Sequence, residues 1–118
     1  ITATDDILNP NHVKLVKDYT GRAMYFSRSP IPYIRNFPQE KWSAMYPFLK
    51  HLGIYAYRTE VLRQITRLEP SLLELAESLE QNRWLENGYN IRVEITSYES
   101  ISIDTPEDLE KVNSMYLP

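Results

Sequence analysis

His51-Leu52-Gly53-Ile54-Tyr55-Ala56-Tyr57 runs straight into Arg58-Thr59-Glu60-Val61-Leu62, and the change of period at that junction decides the fold class. The first run alternates, which predicts a strand with His51, Gly53, Tyr55 and Tyr57 on one face. Leu52, Ile54 and Ala56 then point the other way, toward a core. From Thr59, read as an N-cap, the apolar residues Val61, Leu62, Ile65 and Leu68 return at helical spacing. A strand feeding a helix is the repeating unit of layered α/β or α+β domains.

Downstream, Ser71 with Glu74 three residues on reads as a capping box. The helix it opens is expected to bury Leu72, Leu75, Ala76 and Leu79, and Gly88 stands where a glycine closes a helix. Ile91-Arg92-Val93-Glu94-Ile95 alternates as a strand, and 100–103 reads as a shorter one. Thr105-Pro106-Glu107-Asp108 gives an N-cap, a proline at the first helical position and acids in the first turn, opening a last helix to about Tyr116. Upstream, Ile1 to Pro10 reads as an extended lead-in with turn chemistry at Asp5-Asp6. His12 to Lys17 and Ala23 to Phe26 flank Asp18-Tyr19-Thr20-Gly21, which predicts a hairpin. Pro30 and Pro32 end it, because neither donates to a ladder. Residues 33–49 read as a loop with a short helical turn.

The chain has 118 residues, enough for one domain or a piece of one. It begins at Ile1 rather than Met, and its opening reads as mid-protein, so a fragment is expected. Thirteen Lys and Arg against sixteen Asp and Glu leave a net charge of −3, which is not the footprint of a nucleic-acid binder. No apolar run approaches the roughly 20 residues of a membrane span, and no signal-peptide pattern opens the chain. The absence of cysteine excludes disulfides and thiol catalysis, fits a reducing compartment and, with only two histidines, argues against structural zinc. The three glycines, Gly21, Gly53 and Gly88, are scattered, so this chain holds no glycine-rich phosphate cradle.

Four places carry candidate chemistry. On the strand face of His51 and Tyr55, Gly53 removes a side chain and leaves room for a sugar or an acid to approach; the plainer alternative is the wet face of an antiparallel sheet. Glu77, Glu80 and Gln81, three and four apart on the helix opened by Ser71, form either a polar clamp on hydroxyls or a solvated helix face. Asp104 ends a strand just before a helix, where open α/β sheets often contact a metal or ligand; the alternative is support of a cap that Thr105 and Asp108 already make. Arg28, in Ser27-Arg28-Ser29 before two prolines, is either fixed for carboxylate or phosphate recognition or an ordinary surface arginine.

Taken together, these segments resemble a known family. Asn9-Pro-Asn-His-Val-Lys-Leu-Val16, Tyr25-Phe-Ser-Arg-Ser-Pro-Ile-Pro32, His51-Leu-Gly-Ile-Tyr-Ala-Tyr-Arg58, Ala76-Glu-Ser-Leu-Glu-Gln81 with Arg83, Leu85-Glu-Asn-Gly88 and Ile103-Asp-Thr-Pro-Glu-Asp-Leu-Glu110 occur in this order. The order resembles the C-terminal half of the 3-deoxy-manno-octulosonate cytidylyltransferases, or CMP-Kdo synthetases, from about Asn9 to Asn113. Asp-Thr-Pro-Glu-Asp is shared with other sugar nucleotidyltransferases; its combination with His-Leu-Gly-Ile-Tyr and Leu-Glu-Gln is much more specific. The resemblance implies an α/β fold, the C-terminal part of a Rossmann-like nucleotidyltransferase with a mixed sheet and flanking helices, so that 1–118 is part of one domain whose nucleotide-binding half is elsewhere. It implies transfer of CMP from CTP to the acid sugar Kdo, loss of pyrophosphate, a requirement for magnesium, a homodimer, a cytoplasmic location and a role in lipopolysaccharide assembly. It implies Kdo-binding positions at His51, Tyr55, Glu80 and Gln81, a magnesium-binding carboxylate at Asp104, and Arg28 near the active site. The pattern departs at Leu72, commonly proline, and at Asn82, commonly leucine. A subunit contact through Trp42, Tyr46 and Phe48 is expected. A reading of another class is a non-catalytic sugar-binding or dimerisation module.

Overall fold

The computed structural model describes residues 1, 3–98, 103 and 106–116. Strand β1 (Lys14–Lys17) lies at the centre of a three-stranded antiparallel sheet, between β2 (Ala23–Ser27) and β3 (Leu49–Lys50). The β1–β2 hairpin pairs Lys14 with Ser27, Leu15 with Phe26 and Val16 with Tyr25, then slips so that Lys17 faces Ala23. Its turn is self-contained. Asp18 Oδ1 accepts from the amides of Thr20 at 2.8 Å and Arg22 at 2.9 Å and from the Thr20 hydroxyl at 2.7 Å. Gly21, at φ +85°, makes the left-handed step that a side chain would resist.

The helices are short: α1 (Thr4–Leu8), α2 (Trp42–Met45), α3 (Thr59–Ile65), α4 (Leu72–Glu77), α5 (Glu80–Glu86) and α6 (Pro106–Tyr116). The apolar side chains gather in two groups. Leu15, Ala23, Phe26 and Leu79 form one, with Leu85, Ile91 and Val93 against it. Ile7, Trp42 and Phe48 form the other, flanked by Ile34 and Tyr46.

The hairpin, the loop with its helical turn, the capping box at Ser71 and the last helix match the sequence reading. Several details do not. The lead-in holds α1: Asp5 and Asp6 sit in its first turn, where acids complement the helix dipole, and Ile7 anchors it under Trp42. Trp42 and Phe48 are each 1% exposed, so they fill this core rather than offer a subunit contact. Thr59 begins α3 without a side-chain cap. Leu72 and Leu75 are 83% and 65% exposed, because α4 stops at Ser78, in left-handed conformation, and only Leu79 turns inward. Ile91 to Ile95 is an extended stretch joined to the hairpin by one bridge, Arg22 with Arg92. The strand expected at 100–103 lies outside the described residues except for Ile103, which is irregular.

The largest correction is at 51–57. The amide of His51 makes the last rung, donating to Val13 O at 2.8 Å. Ile54 N then donates back to Leu52 O at 2.8 Å, a three-residue turn centred on Gly53 that ends the ladder. The expected faces do not hold either, although Gly53 and Tyr57 stay exposed and Leu52 is half-buried. Ile54 is 85% exposed, while His51 and Tyr55 are half-buried. Rings that find aromatic partners inside bury more area than the isoleucine would.

Candidate functional site

The inward side of this bent segment builds the site. The His51 ring meets Phe26 edge-on at 5.3 Å, and its Nε2 lies 2.8 Å from the Tyr55 hydroxyl. Tyr55 in turn stands edge-on to Trp84 of α5 at 5.4 Å and stacks beside Tyr57 at 5.9 Å. Burial lowers the pKa of His51, so the ring is neutral at physiological pH. Burial, with the Tyr57 hydroxyl and the Glu80 charge adding to it, pushes Tyr55 far up. Tyr55 therefore keeps its proton; when it donates that proton, Nε2 accepts and Nδ1 carries the ring proton.

The other half is the first turn of α5. Glu80 is exposed, and its charge is felt by Tyr55 and Tyr57. Gln81 is 6% exposed, and its Nε2 has no partner among the described residues. Asn82 is fully buried and donates from Nδ2 to Phe26 O at 3.0 Å, holding α5 on the open edge of β2. His51, Tyr55 and the Glu80 charge are thus joined through Phe26 and Trp84, and Gln81 follows Glu80 in the same turn of α5. Sequence reading missed Trp84 as its wall, although Trp84 follows Gln81 by three positions and Glu80 by four, one helical face.

Glu77 does not stand with Glu80 and Gln81 on one helix surface as expected, because the chain breaks at Ser78 between α4 and α5. Its carboxylate turns to β2 instead. It accepts from the Ser27 hydroxyl at 2.6 Å, the Tyr25 hydroxyl at 3.1 Å and the Arg28 amide at 2.9 Å. Arg28 spends its guanidinium on carbonyls: Nε to Glu77 O at 2.7 Å, Nη1 to Pro10 O at 3.0 Å and Nη2 to Ser78 O at 3.4 Å. Beneath them, fully buried Lys14 donates from Nζ to the carbonyls of Asn9 and Arg28. Burial lowers the Lys14 pKa, and the Glu77 charge partly offsets this.

Burial raises the Glu77 pKa, but the bonds from Ser27, the Arg28 amide and Tyr25, together with the Arg28 charge, outweigh it and hold the carboxyl below its usual 4.5. A carboxyl with a lowered folded pKa contributes stability above its unfolded value and loses it as pH falls through the folded one. Thermal melts should therefore fall steadily below pH 4.5, and Glu77→Gln should make that acid limb shallower. Asp18 and Glu74, also lowered, keep contributing to the limb in the variant.

A cleft of about 730 Å³ opens alongside, lined by Tyr55, Tyr57, Arg58, Trp84, Tyr89 and Arg92 among others. His51, Glu80 and Gln81 are not in its lining, so the polar cluster and the cleft meet only at Tyr55 and Trp84. Asp104 and Thr105 lie outside the described residues. Among the described residues no group of three or more His, Cys, Asp or Glu could hold a metal ion. The arrangement suits orientation of a polyhydroxylated molecule: neutral donors and acceptors on an aromatic floor, with Gln81 Nε2 and Asn82 Oδ1 unpaired among the described residues.

Comparison with known proteins places this geometry in context. A sequence model described as cytidylyltransferase matches residues 1–101. A 3-deoxy-manno-octulosonate cytidylyltransferase of Parabacteroides distasonis is 59% identical over 105 residues, covering 89% of this chain and 42% of that protein. One of Cytophaga hutchinsonii is 53% identical over 109 residues, covering 92% and 44%. A solved structure of CMP:2-keto-3-deoxy-manno-octonic acid synthetase complexed with CTP superposes with a TM-score of 0.82 at 42% identity, covering 96% of this chain and 44% of that one. The chain spans less than half the length of these relatives.

Proposed function

Since the chain belongs to the cytidylyltransferase family, we propose that the complete protein carrying it transfers CMP from CTP to 3-deoxy-manno-octulosonate and releases pyrophosphate. Residues 1–118 are then the C-terminal part of one catalytic domain. The nucleotide-binding turn belongs to the remainder, in keeping with the scattered glycines here. The observation that carries the reading is the buried Gln81 amide nitrogen, unpaired among the described residues, in the first turn of the helix whose Trp84 packs on Tyr55. A buried donor without a partner costs free energy that a ligand oxygen would recover.

In this reading the sugar's anomeric hydroxyl attacks the α-phosphorus of CTP, an oxygen–phosphorus bond forms, and pyrophosphate leaves in line. This chain's share is orientation. Gln81 Nε2 donates to a sugar oxygen, Glu80 accepts from hydroxyls, and the neutral His51–Tyr55 pair offers one acceptor and one donor without repelling the sugar's carboxylate. Arg28 is placed near the carboxylate in the proposal, which would require it to exchange a backbone carbonyl for the sugar. Magnesium, when bound, would neutralise phosphate charge, and Asp104 is proposed as its carboxylate. A homodimer, a cytoplasmic location and a role in lipopolysaccharide assembly complete the proposal. Among the described residues, no helix is long and apolar enough to cross a membrane.

The test is direct. The complete protein, given CTP, the acid sugar and magnesium, should release pyrophosphate in step with CMP-Kdo, while residues 1–118 alone should release none. Sugar binding by the complete protein without turnover would instead favour a non-catalytic module.

A further inference from the structure

We propose that Glu77 is a positioning residue that aims Gln81 and Glu80 at the sugar; the inference rests on the functional reading above. The α4–α5 corner is a weak joint by its own chemistry. Ser78 sits at φ 52° and ψ 48°, a left-handed conformation that a residue with a Cβ adopts at a cost. Leu79, the residue before α5, offers no side-chain cap. Further along, α5 is tied down by Asn82 Nδ2 on Phe26 O and by Arg83 on the Glu74 carboxylate of α4, but the corner itself has no cap to set the direction in which the first turn leaves.

The grip on the corner comes from β2 and the residue after it, some fifty positions earlier in the chain. The Tyr25 hydroxyl, the Ser27 hydroxyl and the Arg28 amide all enter the Glu77 carboxylate. Arg28 closes the clasp from the other side, with Nε on the Glu77 carbonyl and Nη2 on the Ser78 carbonyl. Side chain and backbone of the same corner are gripped at once. Lys14 lies beneath, its ammonium on the Arg28 carbonyl, so a buried positive charge faces the carboxylate. Glu80 and Gln81 follow within one turn. A small rotation at Ser78 would swing both side chains off their present line, and near-contact geometry is unforgiving of such shifts.

The experiment is E77Q in the complete protein. Glutamine keeps the size and one acceptor but presents an amide N–H₂ to the Arg28 N–H or to Ser27. The KM for the acid sugar should rise about tenfold, with the KM for CTP within about twofold, the size expected when a charge-assisted bond is lost. Ser27→Ala and Tyr25→Phe, which remove one donor each and leave the charge in place, should move the sugar KM in the same direction by about threefold. They carry the test if E77Q does not fold. Both KM values rising together, or a lower active fraction with unchanged KM values, would show Glu77 to be structural only. A parent protein that does not turn over the acid sugar at all overturns the functional reading and this inference with it; a parent that does leaves only the positioning role at stake.

Discussion

Gln81→Leu should make the folded protein more stable and the complete enzyme worse. Gln81 is 6% exposed and its Nε2 donates to nothing among the described residues. Leucine has nearly the same volume and no amide to leave stranded. Removing an unpaired buried donor should return about 1–3 kcal/mol to folding. The same change deletes the donor proposed for the sugar, so the KM for the acid sugar should rise about tenfold or more while that for CTP stays put. Urea melts and steady-state kinetics on one variant read both halves. Stability unchanged would mean that water already satisfies the amide. A sugar KM unchanged would remove Gln81 from the site.

Trp42→Ala should be the most damaging single change to the fold. Trp42 is 1% exposed, stacks on Phe48 at 6.3 Å, meets Tyr33 edge-on at 5.0 Å and donates from Nε1 to Phe37 O at 3.0 Å. Truncation loses the transfer energy of the indole, leaves a cavity under Ile7 and strands the Phe37 carbonyl. Large-to-small changes of this kind cost about 3–5 kcal/mol, much of the net stability of a small domain. Denaturant midpoints report it. A loss below about 1 kcal/mol would mean that the cluster collapses onto the gap and was never tightly packed.

What could be read in the sequence was what is decided locally. The hairpin is legible because Asp18, Thr20, Gly21 and Arg22 make their bonds among themselves. The capping box is legible because Ser71 and Glu74 satisfy each other. The sidedness of 51–57 was not legible. Alternation cannot say which face is inward when Phe26 and Trp84, distant in sequence, decide it, nor that Gly53 bends the run. The length of α4 was hidden for the same reason: leucines at 72, 75 and 79 continue a helical stripe, but the clasp on Glu77 breaks it at Ser78. Of the site, the common face of His51 and Tyr55 followed from spacing, their hydrogen bond did not, and the expectation that Glu80 and Gln81 join them came from the resemblance. That Arg28 is engaged by carbonyls has no sequence signature, because its partners are backbone atoms of Pro10, Glu77 and Ser78.

The two apolar groups share no buried member. Along the chain they adjoin where Phe48, of one, is followed by Leu49, packed on the other. Substitutions that do not share partners add in their effects rather than amplify one another. Exchanges around Ile7, Trp42 and Phe48 can therefore accumulate over generations, spending stability but leaving the aim of His51 and Tyr55 intact, until the sum crosses the folding threshold. The Phe26 group has no such freedom, since Phe26 carries the His51 ring on its face and the Asn82 amide on its carbonyl. Lineages should drift fast in the first group and slowly in the second.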